Sequence, residues 1–81
     1  MTYRVEFIPR AAKELKNLPS EQAVRITKGI RKLADNLEGD VKKLTNFRPR
    51  YRLRVGDYRV LFEVEADLVV VYAVKHRREA Y

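Results

Sequence analysis

An α+β domain in the order β-α-α-β-β-β, an antiparallel sheet with two helices packed on one face, follows from three stretches of the chain. Residues 51–62, Tyr-Arg-Leu-Arg-Val-Gly-Asp-Tyr-Arg-Val-Leu-Phe, alternate apolar and basic up to Val55, reverse at Gly56-Asp57 and alternate again from Tyr58. That is the pattern of a β-hairpin. Ala23, Ile26, Ile30, Leu33 and Leu37 recur at helical spacing and form an apolar stripe. Residues 68–74 are a nearly continuous, β-branched run that suits a strand covered on much of both faces. Helices burying such a stripe against a sheet cover only one side of it.

Taken in order, residues 2–8 alternate with Tyr3, Val5 and Phe7 on one face, a first strand. Pro9 suits a helix start, because its missing N–H would have no intrahelical partner there. Ala11, Ala12, Leu15 and Leu18 then give a short first helix over 10–18. Pro19 interrupts it, Ser20 is a good N-cap, and Glu21 is favourable in the first turn. The second helix is expected to run from about 20 to 38, with Arg25, Lys28, Lys32 and Asp35 outside and Gly39 as its stop. Residues 40–50 read as a loop or irregular strand. Leu44 and Phe47 are expected to plug the core there, and Pro49 excludes a central ladder position.

Within the hairpin, Gly56 at the first central position is the signature of a type II′ turn. Val55 then faces Tyr58, Arg54 faces Arg59, and Leu53 faces Val60. One face carries Tyr51, Leu53, Val55, Tyr58, Val60 and Phe62; the other carries Arg50, Arg52, Arg54 and Arg59. Ala66-Asp67 lacks glycine and is read as part of a slightly longer loop. The arginine face, uncovered by helices, is expected to hold Leu61, Tyr72 and His76 as well.

Composition narrows the function classes. Eighty-one residues with 46% hydrophobic content make one small folded domain, 1–81. With no cysteine and one histidine, a disulfide framework, a thiolate nucleophile and a structural zinc site are all implausible. No apolar run approaches the ~20 residues of a membrane span, and the start lacks a signal-peptide core, so a cytoplasmic location is expected. Net charge is +7, and the excess is uneven. Residues 1–40 hold eight Lys/Arg against six acids, residues 41–81 ten against five. A basic excess gathered in one half points to a polyanionic partner, a nucleic acid or an acidic protein segment.

Arg54 opposite Arg59 is the most informative pair. Like charges directly across a ladder destabilise by about 0.2–1 kcal/mol. Such a cluster either grips phosphate bidentately or splays into water. The ending Val74-Lys75-His76-Arg77-Arg78-Glu79-Ala80-Tyr81 is open in the same way, as a solvated fringe or as part of a site.

The element order, the 51–62 segment and the Val-Lys-His-Arg-Arg-Glu-Ala-Tyr ending together resemble the RelE/ParE superfamily of bacterial and archaeal toxins, and more closely its RelE branch. The likeness covers nearly the whole chain. It implies a metal-independent, cofactor-free mRNA endonuclease acting in the ribosomal A site, beside 16S rRNA, and held inactive by a cognate acidic antitoxin. Operator DNA would be met only indirectly, through that antitoxin. In RelE-like enzymes the 2′-hydroxyl attacks the adjacent phosphate, leaving a 2′,3′-cyclic phosphate and a 5′-hydroxyl. The resemblance assigns Tyr81 as base, Arg54 and Arg59 to the phosphate, and Arg77 as phosphate ligand or acid. Arg50, Arg52, Lys42 and Lys43 would lie along the RNA. A free tyrosine ionises near pH ~10, so clustered arginines must favour its phenolate.

Two strand positions that are lysines in the best-known RelE-type enzymes are arginines here, and arginine is a poor proton donor. Some relatives use a tail histidine, which makes His76 a second acid/base candidate. Leu61 and Tyr72 beside the cations would suit an amphipathic acidic antitoxin segment. Two alternatives stand beside the endonuclease: a ParE-like toxin that inhibits DNA gyrase, and a non-catalytic binding module acting as co-repressor.

Overall fold

The computed structural model describes residues 1–80. Its elements are β1 (Arg4–Phe7), α1 (Pro9–Lys16), α2 (Ser20–Leu33), β2 (Asp40–Lys43), β3 (Tyr51–Val55), β4 (Tyr58–Glu65) and β5 (Leu68–His76). The strands form one five-stranded sheet in the order β1-β5-β4-β3-β2. Both helices lie on one face. Ala11 of α1 and Ile26, Ile30 and Leu33 of α2 join Leu53, Val60, Phe62, Val69, Val71 and Val74 in a single core. The apolar stripe of α2 is therefore buried as its spacing requires, while Arg25, Lys28 and Lys32 stay exposed. Ala12 of α1 is exposed too.

The hairpin register is the one the alternation dictates: Val55 with Tyr58, Arg54 with Arg59, Leu53 with Val60. Gly56 supplies the positive φ of 58° that a two-residue turn of this type needs at its first position. Four details differ from the sequence expectations. The sheet is mixed, because β1 runs parallel to β5. Residues 40–43 are a true edge strand paired with β3, so a strand stands where a loop was an open reading. Leu44 and Phe47, just beyond it, are only half-buried and lie outside the main core. The Ala66-Asp67 reversal is a tight two-residue turn, with Glu65 across from Leu68 and Ala66 itself held at φ 54°.

α2 also begins and ends differently. Pro19, not Ser20, occupies the cap position, and no side chain caps the helix. The helix stops at Leu33, well before Gly39, where the chain start takes up one carbonyl and one N–H of the residues that would have continued it. Tyr3 N–H donates to the Ala34 carbonyl at 2.7 Å, and Asn36 N–H to that of Met1 at 2.8 Å. Asn36 and Leu37 then turn the chain with φ of 61° and 57°.

Gly29 sits where α2 crosses β3. A Cβ there would stand 2.8 Å from Val55 Cγ2. Alanine would gain about 0.8–1.0 kcal/mol in helix propensity, whereas forcing a methyl into a filled contact costs about 1–3 kcal/mol. Gly29→Ala is therefore expected to lower the urea midpoint of unfolding. An unchanged or higher midpoint would show that Val55 yields and that the helix–sheet contact is not tight.

Candidate active site

The face of the sheet away from the helices is organised by one irregularity in β5. Going along the β4–β5 ladder, Tyr58 pairs with His76, Arg59 with Lys75, Val60 with Val74 and Leu61 with Ala73, but Phe62 pairs with Val71. Tyr72 is thus an extra residue, a β-bulge, and it reverses the parity of everything after it. Strict alternation from Tyr72 would bring His76 to the arginine face. Instead Lys75 takes that place, and His76 stands on the helix-covered side with its ring edge-on to Tyr58 at 5.4 Å. The expectation that His76 shares the arginine face is corrected accordingly.

The result is a row of directly opposed neighbours across four strands: Asp40, Arg54, Arg59 and Lys75. A second row beside it reads Lys42, Arg52, Leu61 and Ala73. The arginines have defined partners. Arg54 Nε lies 3.3 Å from one carboxylate oxygen of Asp40, and Arg52 Nη1 lies 3.5 Å from the other. Arg52 Nη1 also approaches the Asp40 carbonyl at 3.3 Å. Arg52 is buried, and its Nε has no hydrogen-bond partner among the described residues. Arg59 Nη1 donates to the carbonyls of Gly56 and Tyr58, both at 3.0 Å. Arg77 N–H donates to the Asp57 carbonyl at 2.7 Å, and its Nε lies 3.8 Å from the Asp57 carboxylate. The hairpin turn thus holds both Arg59 and Arg77 beside the cationic row.

The other expected site residues lie further out. Arg50 donates its Nε and backbone N–H to Glu63 at 2.8 and 2.7 Å. Lys42 is exposed beside Arg52, whereas Lys43 pairs with Tyr51 and so belongs to the opposite face. Tyr81 lies outside the described residues.

This face is not bare. Leu61 and Ala73 are buried although no helix covers them, and so is Ala80 of the tail. Phe47, Arg48 and Pro49 of the β2–β3 loop and Glu79 and Ala80 of the tail rim a groove of about 320 Å³ over Leu61, Tyr72 and Ala73. Arg10 and Lys75 complete its wall. Sequence analysis missed Lys75, Arg48 and Arg10 as site groups, and Asp40 as their counter-ion. Recognising β2 from the Asp40-Val41-Lys42 alternation would have found Asp40. The bulge that turns Lys75 has no local signal of its own. Among the described residues no three His, Asp or Glu side chains converge as a metal site, and no helix is long and apolar enough to cross a membrane.

A family model for the ParE toxin of the type II toxin–antitoxin system parDE matches residues 5–81. The chain belongs to the RelE/ParE superfamily of toxins. Within the superfamily it is 32% identical to toxin RelE3 of Methanocaldococcus jannaschii, over 96% of this chain and 94% of that one. It superimposes on the RelB–RelE antitoxin–toxin complex of Methanococcus jannaschii with a TM-score of 0.73 and 33% identity, over 89% of both chains. For the archaeal RelE–RelB complex of Pyrococcus horikoshii the TM-score is 0.76 and the identity 31%, over 99% of this chain and 100% of that one. The toxin's two helices and mixed five-stranded sheet are the fold of these relatives.

Two carboxylates brace the toxin's cations. Partial burial works against the charge on Glu63, but hydrogen bonds from the Arg50 side chain and backbone, with the charges of Arg50 and Arg48, outweigh it. The carboxyl is held below its ordinary value of 4.5. Glu14 is held low against the same opposing burial, by Lys75, the Val74 N–H and Arg10. The folded state therefore binds these protons more weakly than the unfolded chain. Their stabilisation is complete above 4.5 and is lost as pH falls through the lower folded values. Glu63→Gln should be less stable than the wild type at neutral pH, with the gap narrowing as urea titrations move into acid. A gap independent of pH would mean that the Arg50–Glu63 pair is not what holds the proton off.

Proposed function

We propose that this toxin is a ribosome-dependent mRNA endonuclease that works in the cytoplasm without a metal. The observation that carries the reading is the unbroken row Arg54–Arg59–Lys75 on a rigid ladder, with Arg77 tied to the adjoining turn. Phosphodiester cleavage by a neighbouring 2′-hydroxyl concentrates negative charge on the phosphoryl oxygens in the transition state. Fixed cations aimed at that charge are the largest single aid a protein can give. In this reading Arg54 and Arg59 hold the phosphate and Arg77 grips a further oxygen. Tyr81 takes the 2′-hydroxyl proton, its phenolate favoured by the guanidinium groups. Arg52 is buried against Asp40 and acts through its field and by fixing Asp40, rather than by touching RNA. Lys42 and Arg50 would follow the RNA backbone and neighbouring 16S rRNA, whereas Lys43 faces away from it.

The solved relatives are toxins bound to RelB, and we infer a cognate acidic antitoxin for this chain, with operator DNA met only through it. Such a segment would lie over the cationic row, with the exposed Tyr72 rather than the buried Leu61 as its apolar contact. The ParE name of the matching family model supports a second reading, inhibition of DNA gyrase. Purified toxin added to a translation extract decides between them by primer extension on the mRNA and a supercoiling assay in parallel. Cuts within codons on the ribosome are expected, and Arg59→Ala should slow them about 10²-fold or more, the usual loss for one charge-stabilising donor. Intact mRNA with failing supercoiling would overturn the endonuclease reading.

A further inference from the structure

The row that carries the endonuclease reading has a weakness, since guanidinium groups stabilise charge but part with a proton poorly. Departure of the 5′-oxygen needs an acid. Of the cations the structure places in the row, only Lys75 is not a guanidinium, and an ammonium parts with its proton more easily than a guanidinium does. Its position is built. The bulge at Tyr72 turns it to the arginine face, directly across from Arg59. Its ammonium is ion-paired with Glu14 of α1, and the side chain is only 27% exposed. The second Glu14 oxygen accepts the Val74 N–H at 3.0 Å, and Arg10 stands 3.6 Å away, so the carboxylate is itself anchored. Lys75 also forms part of the groove wall, together with Arg48 and Arg10. An ammonium held at a fixed point beside two phosphate-binding guanidiniums has the placement that leaving-group protonation demands.

We infer that Lys75 is the general acid of the cleavage and that Glu14 is its positioning residue, an assignment that rests on the endonuclease reading. As the 2′-oxygen forms its bond to phosphorus, the P–O5′ bond breaks and its electron pair passes to O5′. Lys75 Nζ gives that oxygen a proton, yielding the free 5′-hydroxyl. The 2′-hydroxyl proton leaves to the base, the other product is the 2′,3′-cyclic phosphate, and the neutral amine regains a proton from water. Glu14 keeps the ammonium aimed between turnovers.

The test uses ribosomes programmed with mRNA that carries either the natural 5′-oxygen or a bridging 5′-sulfur at the scissile phosphate. A thiolate leaves without protonation, so only the oxygen substrate needs an acid. Lys75→Met is expected to slow single-turnover cleavage of the oxygen substrate by about 10²-fold or more and to cleave the sulfur substrate at the wild-type rate. Lys75→Arg, which keeps the charge and can keep the ion pair, should show the same split, and Glu14→Gln a smaller one. Because both substrates meet the same variant, misfolding would slow both alike. Equal slowing of the two substrates, or an unimpaired Lys75→Met, would overturn the acid role while leaving the endonuclease reading standing. A wild-type toxin that cuts neither substrate would remove both.

Discussion

Backbone hydrogen bonding along β3, β4 and β5 keeps Arg54, Arg59 and Lys75 shoulder to shoulder, and nothing about those side chains favours the arrangement by itself. Each opposed pair costs about 0.2–1 kcal/mol. The opposite face of the same strands buries Leu53, Val60, Phe62 and Val74, and a fully buried side chain of this kind contributes about 1.5–3 kcal/mol. Sliding the register by one residue would relieve the charges but turn the apolar set into water. Core burial therefore wins, and the cations are held where they repel. Asp40 at one end of the row and Glu14 at the other soften the repulsion without filling the space between.

This division of labour explains why the cationic row sits on the layer away from the helices. The helices bury one side of the sheet and fix its register. The other side is left to the β2–β3 loop and the tail, which bury Leu61 and Ala73 but leave a groove rimmed by Arg10, Arg48 and Lys75. The tail is tied down through Asp57 of the hairpin turn, which holds Arg77 by backbone and side chain. The short turn thus serves both the ladder and the site.

Much of this was legible in the chain. The alternation around Gly56-Asp57 fixed which residues share a face, and the spacing from Ala23 to Leu33 fixed the buried side of α2, because both patterns are local. What could not be read depends on partners distant in sequence. The parallel pairing of β1 with β5 and the early end of α2 are settled by where the chain start docks. The alternation at Asp40-Val41-Lys42 hints at a strand, but which cation Asp40 meets is settled only when β2 joins β3. The exchange of His76 for Lys75 follows from one extra residue in β5, and no composition cue marks a bulge at Tyr72. Membership of the superfamily was readable from the hairpin and tail together, whereas the groove needed the loop and tail in place.

The central claim, that register forces repelling cations into a site shaped for phosphate, is tested most directly by urea unfolding in phosphate against sodium chloride of equal ionic strength. The wild-type toxin should be stabilised by phosphate beyond what screening alone supplies. That excess should vanish in the doubly substituted Arg54→Gln, Arg59→Gln chain. Identical midpoints in the two salts, or an excess that survives the double substitution, would contradict it.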